Sequence, residues 1–248
     1  MKHTEHYKIR WHDTDSNRMV RPSQLVSYMQ ETANAQLTAN GMSLDRMRDE
    51  LGLAFLLSRI TVRIYEPLYT DDEIDVQTWI CEGHGLHFDR CFCVLRDGKV
   101  VAEAFSDWAL LNMREKKLVR AADFSYTFPP DTPLAPELSA RVRYPILSGM
   151  ELVGERRIVY SDIDYNHHMN NTHYPDMLCD FTPDILRRRV VGMSLSFLHE
   201  AAYGHTLKVY RQEKEDGFFF RTVNEEGTTC LEAVLLTEDL GDICERNI

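Results

Sequence analysis

Apolar positions along this chain follow two rhythms, and the rhythms alternate in the same order twice. From Pro22-Ser23, a favourable composition for a first helical turn, Leu25, Tyr28, Met29 and Thr32 recur at helical spacing and Gly41 supplies a stop. Four longer apolar runs follow, at 56–66, 73–82, 86–96 and 99–113, each reading as a strand. Further on, Asn171-Thr172 is the predicted cap of a second helix bearing Tyr174, Met177, Leu178 and Phe181, with Pro183 to end it. Four more strands are predicted at 191–199, 205–214, 217–224 and 228–238. Asp97-Gly98, Asp216-Gly217 and Glu226-Gly227 stand where hairpin turns belong, so the strands should pair antiparallel. A sheet of that kind buries one face, and a single long helix per half is the available cover. The expectation is a tandem α+β protein.

The halves also match residue by residue. "YKIRWHDTDSNRMVRPSQLVSYMQE" from Tyr7 aligns with "RRIVYSDIDYNHHMNNTHYPDMLCD" from Arg156, so Asp13 meets Asp162, Asp15 meets Asp164, Asn17 meets Asn166 and Glu31 meets Asp180. "ITVRIYEPLYTDDEIDV" then lies over "MSLSFLHEAAYGHTLKV", and the offset falls from 149 to 133. About sixteen extra residues, covering "GMSLDRMRDELG", are therefore expected after the first helix. Ordered self-similarity marks a duplicated domain. Between the halves "TFPPDTPLAPELS" holds four of the nine prolines, as an extended linker would. The expected division is 1–128, a linker at 129–143, and 144–248.

Composition narrows the class. The formal charge of −11 speaks against a nucleic-acid partner, which needs a basic face. No apolar run approaches the ~20 residues that span a bilayer. The opening "MKHTEHYKIR" lacks the apolar core of a signal peptide, so a cytoplasmic protein is expected. Six cysteines show neither C-x-x-C pairs nor zinc spacing and read as buried free thiols. Neither a metal nor a cofactor is expected.

The stretch "DIDYNHHMNN", Asp162 to Asn171, crowds two carboxylates, two histidines and three side-chain amides into ten residues. Asp and Asn suit a helix cap or tight turn. Histidine is the side chain that changes charge near neutral pH. Two readings stand open: a cap with incidental histidines, or a proton-transfer site.

At "SRITVRIYEPLYTDDEIDVQTWI", "RDGKVVAEAFSDWALLN" and above all "DIDYNHHMNNTHY" the chain resembles the acyl-acyl carrier protein thioesterases, from about Tyr7 to Leu240. The resemblance implies a double hotdog, each half an antiparallel sheet wrapped around a central helix. The family's D-x-N-x-H-x-N-N motif is matched by Asp164, Asn166, His168, Asn170 and Asn171. The family also has an essential Glu after the next strand, often followed by Cys. Here "SFLHEAAYG" supplies Glu200, but Ala201 stands at the cysteine position. A thiol nucleophile at that place is thus absent, and the resemblance carries over as Asp164, Asn166, His168 and Glu200.

Thioester hydrolysis needs an activated water or nucleophile, an oxyanion stabiliser and a proton for the leaving thiolate. Glu200 is the candidate to activate water or to attack directly, and His168 to shuttle the proton. Asn166 would hydrogen-bond the water or hold its neighbour, with Asp164 orienting it. Backbone N–H groups near Asn170-Asn171, at a helix start, suit an oxyanion hole. The repeat separates these roles from folding requirements. Asp15 and Asn17 keep the types of Asp164 and Asn166, which leaves a loop-forming role open for that pair. Met19 and Pro67, however, stand at the places of His168 and Glu200. His167 is expected in solvent, and His199 pointing away from Glu200.

The first half would then form much of the acyl pocket, with Met29, Phe55 and Leu56 as candidate lining. Leu44, Met47 and Leu51, on one side of "SLDRMRDEL", would lid a tunnel or pack on the sheet. Cys179, on the second helix, would block the pocket if exposed there and modified. Carrier docking has basic candidates in Arg187-Arg188-Arg189, Arg156-Arg157 and Lys116-Lys117, although the triplet equally suits a helix C-terminus. The expected activity is hydrolysis of fatty acyl-acyl carrier protein, with that carrier as partner and a homodimer left open. Alternatives are an acyl-coenzyme A hydrolase, a non-catalytic acyl-thioester sensor and a hydratase on the same fold.

Overall fold

The helical rhythm that starts at Pro22 becomes α1 (Pro22–Ala39), which buries Leu25, Val26, Tyr28, Met29, Ala33 and Leu37 along one side. Its second-half counterpart, α3 (Tyr174–Asp180), is only seven residues long. Pro183 explains the stop, since the residue before a proline is pushed out of the helical region. α1 runs on through residues 32–39, past the point equivalent to the end of α3. The extra segment of the first half therefore begins inside the helix, not after it. The expected cap also moves by one residue: Asn170 caps the second-half helix start, its Oδ1 accepting from Thr172 N at 3.0 Å.

The computed structural model describes residues 1–215 and 217–241; Asp216 of the expected hairpin turn and Cys244 lie outside the described residues. The strands are β1 (His3–Lys8), β2 (Leu53–Ile64), β3 (Glu73–Ile80), β4 (Phe88–Arg96), β5 (Lys99–Asn112), β6 (Lys117–Val119), β7 (Glu151–Arg157), β8 (Arg188–Phe197), β9 (Thr206–Lys214), β10 (Gly217–Val223) and β11 (Thr229–Asp239). Short β6 was not foreseen, and β8 begins before the predicted residue 191, which draws Arg188 and Arg189 into the sheet. All pair antiparallel in the order β1-β3-β4-β5-β2-β8-β11-β10-β9-β7, with β6 on β5. The second half repeats the first in reverse spatial order. The tandem α+β expectation is met: in each half the sheet wraps a helix.

The halves join at β2–β8, where Thr61 lies opposite Ser194 with hydroxyl oxygens 3.0 Å apart. Those two residues are equivalents at the offset of 133, so the pseudo-two-fold axis passes between them. The helices meet as well. Asp176 of α3 accepts from Ser23 N at 3.1 Å and Ser23 Oγ at 2.6 Å, placing a carboxylate on the positive end of α1. Around the helices one core gathers residues of both halves, among them Ile9, Leu25, Met29, Phe92, Ile158, Leu178, Leu195 and Phe220. Each such side chain contributes roughly 1.5–3 kcal/mol on burial.

The proline-rich segment is not a free spacer. Thr132 O accepts from Trp79 Nε1 at 2.8 Å, and Leu138, on the short α2 (Pro136–Ser139), is buried with Trp79, Cys81 and Phe105. Apolar side chains on the outer side of β3–β4 need that cover.

Candidate active site

Two loops build the site, and their backbones repeat across the halves. In the second half Asp164 N donates to His168 O at 3.1 Å, His167 N to Asp164 O at 3.1 Å and Met169 N to Ala201 O at 2.8 Å. In the first, Asp15 N donates to Met19 O, Arg18 N to Asp15 O and Val20 N to Leu68 O, at 2.8, 3.1 and 2.8 Å. His167 and Arg18 share the left-handed turn conformation, with φ of 69° and 62°. Asp164 Oδ1 closes its turn on Asn166 N at 2.8 Å, as Asp15 Oδ1 does on Asn17 N at 2.8 Å. Asp164 thus performs a loop-forming task required in both halves. Only the side chains carried on this frame differ.

In the second half that frame holds His168 between two carboxylates. Its Nδ1 lies 3.9 Å from Asp164 Oδ1 and its Nε2 lies 3.6 Å from Glu200 Oε1. Both gaps exceed a direct hydrogen bond. Glu200 is open to solvent, with 72% of its side chain exposed against 20% for His168. Asn166 Nδ2 reaches Asp164 Oδ2 at 3.4 Å. Of the two asparagines at the helix start, Asn170 has its backbone and its side-chain oxygen engaged: its N–H donates to Asp162 O at 2.8 Å and its Oδ1 caps Thr172. Asn171 N–H, first in its helical turn, has no hydrogen-bond partner among the described residues. His167 is exposed, and His199 Nδ1 is 2.8 Å from Thr229 O.

These side chains open on a chamber of about 740 Å³, within the usual range for ligand sites. The second half contributes Asp164, Asn166, His168, Asn170, Asn171 and Glu200; the first contributes α1, the Leu44–Arg48 region and residues 53–58 of β2. Phe55 and Leu56 are in the wall. Met29 is not; it is fully buried in the core, because its position on α1 faces the sheet instead of the chamber. Leu44 and Met47 line the chamber while Leu51 is exposed, so the extra segment contributes wall instead of one continuous apolar stripe.

Among the lining residues that escaped the sequence reading are Arg90, Trp108, Tyr126 and Tyr174. Arg90 is 5% exposed and donates through Nη1 to Gln36 Oε1 and Thr78 Oγ1, at 2.6 and 3.0 Å. Burial holds its guanidinium down to about 10 and pushes the Tyr126 phenol up to about 12. The available signal was an arginine amid the apolar run of β4; its partners, on α1 and β3, are distant in sequence.

A smaller cavity of about 320 Å³ is the pseudo-symmetric twin. It sets the first-half loop, with Asp15, Met19 and Pro67, against Asp176, Cys179 and Asp180 of α3. Each loop thus faces the other half's helix, and His168 and Glu200 line one cavity where Met19 and Pro67 line the other. Cys179 lines the twin and not the chamber, which removes the expected risk that its modification blocks the acyl pocket. Among the described residues no His, Cys, Asp or Glu side chains group as a metal site would require.

Comparison with known proteins decides the family. The model of the acyl-ACP thioesterase N-terminal domain matches residues 1–126, and that of the C-terminal domain matches 151–241. The chain belongs to the acyl-ACP thioesterase family. It is similar to oleoyl-acyl carrier protein thioesterase 2 of Arabidopsis thaliana, 24% identical over 204 residues that make up 72% of this chain and 53% of the relative. The chain spans about half the length of the curated relatives it matches. The fold is that of an acyl-ACP thioesterase from Bacteroides thetaiotaomicron, with a TM-score of 0.84, 22% identity, and 96% and 98% of the two chains covered. It is also that of the 12:0-ACP thioesterase of Umbellularia californica, with a TM-score of 0.84, 16% identity, and 96% and 97% covered.

Within this family the basic docking candidates are partly spent on structure. Arg188 faces Asp239 at 3.4 Å, Arg189 binds Glu238 at 2.7 Å and Arg156 binds buried Asp162 at 2.6 Å. Arg187 ends a 3-10 turn, Ile185–Arg187, close to the helix-end position that was the alternative. No helix among the described residues is long and apolar enough to cross a membrane.

Proposed function

We propose that this chain hydrolyses fatty acyl thioesters of acyl carrier protein and releases the free acid. The observation that carries the proposal is the asymmetry of two equivalent cavities. One repeated backbone frame presents His168 and Glu200 to the large chamber, and Met19 and Pro67 to the small one. A fold requirement would act on both.

In the proposed reaction the acyl chain lies against the first-half wall, including Phe55 and Leu56. A water held between Glu200 and His168 loses its proton to Glu200 as its oxygen attacks the thioester carbon. The developing oxyanion receives the Asn171 N–H. Collapse breaks the carbon–sulfur bond, and the departing thiolate takes a proton passed through His168. Asp164 and Asn166 hold the loop and the imidazole in register. Asn170 acts through the cap that fixes the helix start. Residues 144–248 supply the chemistry and 1–128 most of the wall. Both walls come from one chain, so a second copy is not needed to complete the site. A cytoplasmic setting agrees with the free thiols Cys81, Cys91, Cys93, Cys179 and Cys230.

The test is turnover of one acyl group presented on acyl carrier protein and on coenzyme A, read as thiol release. Faster release from the carrier protein is expected. Equal or faster release from coenzyme A would make the chain an acyl-coenzyme A hydrolase. Binding without thiol release would make it a sensor, and water addition without release a hydratase.

A further inference from the structure

The extra segment of the first half meets the second at the chamber, where Arg48 lies over Tyr165. It ends in a π-helical turn, Arg46–Leu51, a rare form that clusters at functional sites. Met47 is 1% exposed and anchors the turn in the core beside Leu37, Phe88 and Leu110. Arg46 binds Glu50 at 3.1 Å, and Arg114 Nη2 donates to Glu50 O at 3.0 Å. Gly52 closes the turn at φ 68°, where a Cβ would fall 2.7 Å from Arg114 Nε. With Met47 turned inward, Arg48 is turned outward. Its guanidinium lies 5.3 Å from the centre of the Tyr165 ring, on the loop that carries His168.

Arg48 and Arg90 are the two arginines in the chamber wall, which has no lysine among the described residues, and Arg90 is buried on Gln36 and Thr78. Arg48 is exposed and makes no ion pair among the described residues, whereas its neighbour Arg46 does. The same wall carries Glu31, Asp164 and Glu200, on a chain of net charge −11. Arg48 is thus the exposed permanent cation of this wall that an approaching anionic group can meet.

We infer that Arg48, steadied by Tyr165, binds the phosphate of the phosphopantetheine arm on which the acyl group arrives. The inference rests on the proposed thioester chemistry. The acyl chain fills the chamber, the thioester stops at His168 and Glu200, and the rest of the arm leaves through the mouth with its phosphate outside. A guanidinium is suited to that phosphate, because its planar N–H fork matches the phosphate oxygens. Stacking on Tyr165 limits the rotamers that Arg48 would otherwise lose on binding.

The test compares one acyl group on phosphopantetheine and on pantetheine without phosphate, in the parent, in Arg48→Gln and in Arg48→Lys. The phosphate is expected to improve KM by about tenfold in the parent. That advantage should vanish in Arg48→Gln and return in part in Arg48→Lys, with melting temperature unchanged. Calorimetry of unacylated phosphopantetheine against pantetheine reads the same preference without turnover. A parent that ignores the phosphate, or an Arg48→Gln variant that keeps the full advantage, overturns the inference. If the parent hydrolyses neither thioester, the proposed function fails, and calorimetry still decides Arg48.

Discussion

His168 Nε2 stands 3.6 Å from Glu200 Oε1, although the two residues lie on separate loops. Their approach is set by the backbone, since Met169 N donates to Ala201 O and His168 bridges to Ala202. His168→Ala should lower turnover by roughly 10²–10⁴ with folding intact. Glu200→Gln should lower it comparably while acyl binding persists. The matched control is Met19→Ala at the equivalent buried site, which should cost ~2–5 kcal/mol of stability and spare the chemistry. Near-normal hydrolysis by a folded His168→Ala enzyme would end the assignment.

Chain-length preference should follow the first-half wall. Leu56→Trp takes volume from the chamber and should shift the released acids toward shorter chains. One methylene is worth ~0.8 kcal/mol of burial, so a single large side chain is enough to move the profile. Met29→Ala empties core instead, and should cost ~2–5 kcal/mol of stability without moving the profile. Profiling acids released from a mixed acyl-carrier pool checks both; a shift with Met29→Ala and none with Leu56→Trp would refute the division.

Thiol chemistry should be dispensable. Ala201 offers no thiol beside Glu200. Burial pushes the Cys179 and Cys230 thiols up from their ordinary range, so few thiolates exist at neutral pH. Iodoacetamide at neutral pH should therefore leave turnover intact, with modification becoming rapid only above the ordinary thiol range of ~8.5. Mass spectrometry and activity on the same samples test this. Neutral-pH inactivation that Cys179→Ala or Cys230→Ala prevents would contradict it.

At the pseudo-axis, Ser194→Ala should leave the buried Thr61 hydroxyl without its partner and cost ~1–3 kcal/mol. Adding Thr61→Val removes the orphan and should recover much of that loss. A double-mutant cycle by denaturant unfolding measures the coupling. Strictly additive losses would mean that the hydroxyl pair does not stabilise the seam.

The sequence by itself determined the duplication, the strand and helix rhythms and the motif from Asp164 to Asn171, because these are local or repeat at constant offsets. It also separated His168 and Glu200 from Met19 and Pro67, a comparison that needs no coordinates. Tertiary structure decided what depends on facing. Met29 and Phe55 are equally apolar in sequence, and only packing sends one to the core and the other to the chamber. Asn170 and Asn171 are adjacent amides, and only the cap geometry consumes the first and leaves the second's N–H free. Arg48 reads as one charge among many until the π-turn brings it over Tyr165. The fates of Met29, Phe55 and Arg48 rest on contacts between residues far apart in the chain, where spacing carries no signal, and that of Asn170 on a local backbone geometry that residue type alone does not specify.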